Sequence, residues 1–582
     1  MSGCKINVCY STRQNAWQKP ASHNAYVFNI YLCVRGFQPN LTLNFNRRYQ
    51  VRLGLMIFEI VITILGAVLL HWLFIALFNP WRYPPGPAGL PLIGSLHLAA
   101  PEFHISILIK FPFPFTPFLF SAFLKKQITG LFNICFSELP KLAKKYGPIF
   151  TIKAGCRRVV FLVGYDVIKE VITDRAKDFA SRCPTIVARI VRGEGLDGIA
   201  ASPYGPKWMA NRKFFYSAMR TMGLGKRGIE KCVVDEIPYI VGELENICSN
   251  DGLFEPSSVF DSAVLNVLAY FTFGNRYSYQ DEKFKELIHI NNDFFQKSKF
   301  LNQPQFFLLT LIPGLDKYWL PKCGKDIKES FGKINKFVKA EIKQHRQNLD
   351  PENPRDYIDC YLNELNQMND QSELSELGLE MSIMDLFQAG TETTSTTLRW
   401  AILYLANNPH IQEKVQQEID EVLGFDQLPQ YEDRMRMPYC EATVLEVQRM
   451  ATIAPIGLQH CSEDDQVLGG YRVPKRTSIV ACYHSIHFDP KFWKNPNKFD
   501  PCNFLDSNGK VCIPDAFMPF GGGLRICVGM NIAKQELFLF FVAILQKFSL
   551  HLPDDMDHLD EKPGPGIILA PKIYRVQIKR RA

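Results

Sequence analysis

From Leu53 to Phe78 the chain is apolar almost without a break, with Glu59 and His71 its only strongly polar residues. As a helix the stretch is long enough to cross a hydrocarbon core, and its apolar residues run round every face. A helix packed on a protein core would show a single apolar stripe. Residues 53–78 are therefore predicted to be a single-pass membrane anchor, with Trp72 and Trp81 as interfacial residues. The run Tyr83-Pro84-Pro85-Gly86-Pro87-Ala88-Gly89-Leu90-Pro91 cannot continue that helix, so 79–93 reads as a stiff, extended hinge. Beyond Gly147 the period changes. Short strand-like segments are predicted at Ile149–Ile152 and Arg158–Val163. Helical patterns then dominate from Lys207 to Arg449, including one long helix from about Met381 to Ala406. An irregular, proline-rich stretch precedes Cys527, and a further helix is predicted over Ile532–Phe541. No internal repeat is visible. The pattern describes one large, mainly helical domain over 94–582.

Two stretches depart from this plan. Residues 1–52 form an atypical extension whose Arg47, Arg48 and Arg52 abut the anchor, whereas Arg82 stands alone nearby on its far side. That bias places the N-terminus in the cytosol and the large domain across the membrane, while a chain starting at Met56 takes the opposite orientation. The extension is read as a gene-model artefact or a separately processed segment. Residues 105–136, with Pro112, Pro114 and Pro117 among phenylalanines, make a poor second span. A translated intron explains them better than a membrane-touching insert, because an exposed apolar loop of this size is an aggregation hazard.

Composition adds bounds. At 47% hydrophobic and 21% charged, the chain has ample material for a large core. A net charge of +8 without a dense Lys/Arg run fits an anionic membrane surface or acidic partner and gives no support for nucleic acid binding. The 16 cysteines are irregularly spaced and include no Cys-x-x-Cys pair, pointing to reduced thiols rather than a disulfide framework or zinc ribbon.

The most informative chemistry surrounds Cys527, in the run Phe520-Gly521-Gly522-Gly523-Leu524-Arg525-Ile526-Cys527-Val528-Gly529. A thiolate just before a helix is stabilised by free N–H groups, glycines permit close approach of a flat partner, and Arg525 can neutralise a carboxylate on it. A lone thiolate suits an axial haem ligand better than a zinc site, which needs several ligands. The bland alternative is a buried free cysteine beside a turn. The run resembles the cysteine-loop signature of the cytochromes P450, Phe-x-x-Gly-x-Arg-x-Cys-x-Gly. Other motifs follow the same family's order. Ala389-Gly390-Thr391-Glu392-Thr393-Thr394 resembles its oxygen-activation motif, and the hydroxyls there are expected to distort the helix locally. Glu446 and Arg449, at i, i+3, match its Glu-x-x-Arg helix. The usual third member of that lock is an arginine, and Asn503 stands in its place within Pro501-Cys502-Asn503-Phe504. Trp208 and Arg212 resemble a Trp-x-x-x-Arg pair that faces a haem propionate, and His460 is a candidate for the other propionate. Taken alone, each of these is an ordinary helix face or surface pair.

The resemblance implies the P450 fold: mainly α with a small β-rich lobe, and haem b held between the long helix and the cysteine loop. It also implies a monooxygenase in which Cys527 ligates iron and Glu392 and Thr393 handle protons. Implied with it are electrons from NADPH–cytochrome P450 reductase, cytochrome b5 as a further partner, a lipophilic small-molecule substrate, and an endoplasmic reticulum membrane location facing the cytosol. The expected substrate contacts are the loop Pro184–Tyr204, Phe387 and Ala389, Ile453–Gly457 and the turn Gly566–Leu569, with the aromatic stretch Phe294–Leu315 dipping into the membrane. A P450-fold isomerase or peroxide-driven enzyme and a non-catalytic haem-binding protein are the rivals, separable by dependence on NADPH and reductase and by the reduced, CO-bound spectrum.

Overall fold

A computed structural model describes residues 83–87, 138–154, 157–193, 196–221, 228–298, 309, 314–367, 373–564 and 566–581, with scattered helical positions between 56 and 70. The extension 1–52, the insert 105–136, most of the hinge and most of 299–313 lie outside the described residues. The anchor is described only at its scattered helical positions, and among the described residues no helix is long and apolar enough to cross a membrane.

Twelve helices of seven or more residues are described. They are α1 (Glu138–Tyr146), α2 (Ile186–Arg192), α3 (Pro206–Met219), α4 (Gly228–Asn250), α5 (Pro256–Phe273) and α6 (Glu282–Ser298), followed by α7 (Lys322–Gln347), α8 (Tyr357–Gln367), α9 (Glu376–Asn407), α10 (Pro409–Val422), α11 (Pro438–Ala451) and α12 (Met530–Lys547). Prolines at the first turn start α3, α5, α10 and α11, where a missing N–H costs nothing. The spine is α9, 32 residues long, which at 1.5 Å per residue spans about 48 Å. Ser375 caps it, its Oγ accepting from Gly378 N at 3.0 Å. The central α5 and α12 are buried on nearly every face, which is why both read as apolar runs rather than stripes.

The strands form small sheets. β1 (Ile149–Ala154) pairs antiparallel with β2 (Arg157–Val163), and β2 pairs parallel with β6 (Ser478–Cys482). β3 (Leu253–Phe254) and β7 (Phe548–His551) flank β8 (Val576–Arg580), and β4 (Gln466–Leu468) forms a hairpin with β5 (Tyr471–Val473). The described part of the hinge docks on β1, because Pro85 O accepts from Thr151 N at 2.8 Å. Gly86 has to be glycine there, since a Cβ would lie 1.9 Å from Thr151 O.

One buried lock joins α7 to α8. His345 Nε2 donates to Asp356 Oδ2 at 2.9 Å, and its Nδ1 lies 2.7 Å from Glu341 O. Burial pulls the imidazole pKa down, but Asp356 outweighs it, so His345 is raised above its ordinary value. A raised pKa means that folding takes up a proton. The stabilisation is complete below the unfolded value and fades as pH climbs through the folded one. Melting temperature is thus expected to fall as pH rises above the ordinary imidazole value of about 6.5, and His345→Gln should flatten that slope. Identical slopes in thermal melts of the two proteins would refute the assignment.

Candidate active site

The loop before α12 carries Cys527. Cys527 N donates to Phe520 O at 2.9 Å, and Gly529 is the N-cap of α12, so the sulfur sits three residues before the helix. The thiol is exposed within a cleft, yet the surrounding protein desolvates it and pushes its pKa up. A hydrogen bond from the Gly529 backbone and the charge of Arg212 pull the other way, favouring thiolate. The glycines of this loop have a role that its sequence pattern leaves unseen. Gly523, at φ 59°, packs so closely on the 170–174 turn that a Cβ would meet Ile172 O at 1.9 Å. Gly521, at φ 71°, lies against the Tyr483 hydroxyl. Both glycines therefore also serve close packing on protein.

Arg525, Arg212 and Arg182 gather beside Trp208. The Arg525 guanidinium lies 4.1 Å from the indole centroid, and that of Arg212 lies 5.6 Å from it. Arg525 donates to Ala180 O at 2.6 Å and Ser202 O at 2.7 Å, Arg182 to Leu458 O at 3.0 Å and Gln459 O at 2.8 Å, and Arg212 to Ile526 O and the Tyr216 hydroxyl. Burial and the neighbouring arginines push Arg525 down to about 8. Mutually repelling cations that hang on carbonyls form a site complementary to anions. Two expected donors have protein partners here: Trp208 Nε1 donates to Ile199 O at 3.0 Å, and His460 Nδ1 lies 3.0 Å from Phe179 O. Arg182 escaped sequence reading, because only the fold brings it to Arg525.

Across the cleft, Thr393, Thr394 and Thr397 on α9 line a cavity with Thr452, Ile453, Phe520 and Ala533. The cavity thus runs between the threonine turn and the cysteine loop. Thr391, Thr393 and Thr397 back-bond to Phe387, Ala389 and Thr393 carbonyls at 3.0, 2.7 and 2.9 Å, yet α9 stays helical throughout, so the expected local opening does not break it. Glu392 Oε1 accepts from Thr396 at 3.3 Å. Glu536 of α12, fully buried, hydrogen-bonds Thr394; burial pushes its carboxyl up to about 8. Nothing in the local sequence pointed to this link. Of the expected substrate contacts, Ile453 O accepts from Leu569 N at 2.8 Å, joining two of the predicted segments. Ala389 is exposed, but Phe387 is buried against Phe273 with ring centroids 5.8 Å apart and belongs to the core.

Below the loop, Glu446 and Arg449 are wholly buried and paired twice, at 2.7 and 2.8 Å. Asn503 completes the lock, its Nδ2 donating to Glu446 Oε1 at 3.1 Å beside Asp500 N at 2.9 Å. Asn503→Ala is expected to cost about 1.5–3 kcal/mol in denaturation measurements, as for a lost hydrogen bond to a charged group. A neutral result would remove Asn503 from the network.

The exposed thiol, the cationic cluster at one edge and the threonine-lined cavity opposite fit a flat dianionic macrocycle carrying a metal. Comparison with known proteins agrees. The family model "Cytochrome P450" matches residues 112–578. Cytochrome P450 2U1 of Rattus norvegicus is 34% identical over 521 residues, covering 88% of this chain and 94% of that protein. Cytochrome P450 2B4 of Oryctolagus cuniculus is 35% identical over 506 residues, covering 86% and 94%. Cytochrome P450 2U1 of Homo sapiens is 34% identical over 518 residues, covering 88% and 92%.

Proposed function

The chain belongs to the cytochrome P450 family of haem-iron monooxygenase oxidoreductases, and from that premise we propose that it inserts one atom of dioxygen into a lipophilic xenobiotic, fatty acid or steroid. The observation that carries this reading is the cavity bounded by both Thr393 and Phe520, which sets the threonine turn of α9 opposite the loop of Cys527. Haem b is the proposed cofactor. Cys527 would ligate its iron, and Arg525 and Arg212, with Trp208 and His460 beside them, would meet its propionates. Bound there, a thiolate-ligated haem supplies dioxygen activation. Thr393 spends its own proton on Ala389 O, which leaves its oxygen free to accept from water and hold a proton donor in the cavity. Glu392 resupplies that proton. Ile453 and Leu569 present apolar walls to the substrate. The electron donor is NADPH–cytochrome P450 reductase, with cytochrome b5 as a second partner, at the cytosolic face of the endoplasmic reticulum.

Thr393→Ala in a reconstituted system with reductase should keep the red-shifted CO band and continue to consume NADPH. Product per NADPH should fall by about 10²-fold, the low end of what a positioned proton-transfer group contributes, with peroxide released instead. Equal losses of NADPH consumption and product, with coupling intact, would sink the assigned role. Turnover without NADPH or reductase would sink the proposed electron route.

A further inference from the structure

One buried residue of the cavity holds a backbone conformation that its side chain disfavours. Thr452, the C-cap of α11, sits in the left-handed region at φ 36° and ψ 55°, and its N donates to Gln448 O at 3.1 Å. A β-branched residue is a rare choice there, where helices commonly end on glycine. Such strain persists only where the surroundings over-determine it. The hydroxyl supplies the reason. Thr452 Oγ1 donates to Arg449 O and lies 3.0 Å from His487 Nδ1, while His487 Nε2 lies 3.0 Å from Met518 N. A backbone N–H can only donate, so Nε2 accepts, and the proton of the neutral ring is on Nδ1 and is donated to Thr452. Burial, with Arg449 nearby, pushes the imidazole down to about 3, which keeps it neutral. Thr452 and His487 are both buried, and both line the cavity shared by Thr393 and Phe520.

We propose that Thr452 and His487 are positioning residues that clamp the cysteine loop at a fixed spacing from the substrate wall and so set which carbon of a substrate is oxidised. The inference rests on the function proposed above, in which Cys527 binds iron and Ile453 faces the substrate. Each end of the clamp adjoins one of those groups. Ile453 follows Thr452 directly, and its carbonyl accepts from Leu569 N at 2.8 Å. Met518 O accepts from Gly521 N at 3.1 Å, and Phe520 O accepts from Cys527 N at 2.9 Å. The amide that His487 fixes therefore opens the turn on which the sulfur hangs. His487 is itself held, its carbonyl accepting from Arg449 Nη1 at 2.8 Å and its ring lying on Phe517 with centroids 5.7 Å apart. Glycine at 452 would relax the helix end but would leave the Nδ1–H of a buried imidazole without its acceptor. The threonine keeps that bond at a cost in backbone strain, which distinguishes a placed hydroxyl from an ordinary helix cap.

The test compares the full-length, haem-loaded wild type with Thr452→Val, Thr452→Gly and Thr452→Ser. Hydrogen exchange of the Met518 amide should quicken about 5-fold in the valine and glycine variants, the equivalent of one ordinary hydrogen bond, and stay at the wild-type rate in the serine variant. Amides in the middle of α9 should exchange alike in all of them. Glycine relieves the backbone, so its variant should melt above the valine variant while sharing its fast Met518 exchange. Exchange that tracked melting temperature instead would reduce the pair to ordinary packing and overturn the proposal, as would a wild-type Met518 rate in both variants. With reductase, and dodecanoate as the probe, the ratio of products hydroxylated at neighbouring carbons should change in the valine and glycine variants and return to the wild-type ratio with serine. A ratio common to all would overturn the assigned control of position. Failure of the wild type to oxidise dodecanoate would count against a fatty acid in the proposed function, and the exchange result then decides the clamp by itself.

Discussion

Cys527→Ala is expected to abolish monooxygenase turnover and the red-shifted band of the reduced, CO-bound protein, while the polypeptide still folds. The reasons are local. The loop owes its shape to backbone and neighbours: Cys527 N on Phe520 O, Gly523 against Ile172 O, and Arg525 on Ala180 and Ser202 carbonyls. None of these uses the sulfur. The side chain is exposed in the cleft, so its removal opens no core cavity. What is lost is the one group in the loop able to donate a thiolate charge to a metal. Activity assays with reductase and a CO difference spectrum check this. A mutant that kept both turnover and the band would refute the assignment of Cys527.

Arg449→Leu is expected to destabilise the protein by about 3–5 kcal/mol, the range for stranding one member of a buried ion pair. Arg449 spends its guanidinium on both oxygens of Glu446 and on the carbonyls of His487, Pro496 and Lys498. It therefore ties α11 to the chain leading toward the cysteine loop. Without it Glu446 stays buried with Asp500 N and Asn503 as partners. Burial already raises the Glu446 pKa, and loss of the arginine raises it further. Protonation then relieves the defect, so the deficit should grow as pH rises and shrink as pH falls. The double variant Glu446→Leu/Arg449→Leu should recover much of the loss, because removing both charges removes the desolvation penalty. Denaturation of the single and double variants at two pH values measures all three statements. A single-variant loss below about 1 kcal/mol would show that the pair is not the lock.

Legibility followed the range of the interaction. Glu446 and Arg449 are three residues apart on one helix, so helix geometry alone put them on one face, and the structure pairs them. Asn503 was placed by motif position, and it does reach Glu446. The strands around Ile149 and Arg158 and the helix after Cys527 were readable from short periods, with ends extended by a few residues in the fold. Phe387 shows the limit. The resemblance to the family put it beside Ala389 as a substrate contact, yet its burial against Phe273 depends on how α5 crosses α9.

The sequence by itself determined the chemistry available to this protein. One thiolate in a glycine loop, a threonine-rich turn in a long helix and an i, i+3 ion pair are local facts, set by side-chain type and by spacings of a few residues. Only the tertiary structure decided which distant groups share a surface. It put Arg182 with Arg525, Glu536 under Thr394, Pro85 on β1 and Gly523 on Ile172. Those neighbours are tens to hundreds of residues apart, and their contacts depend on the register of packed helices and bridged strands, which no local period encodes.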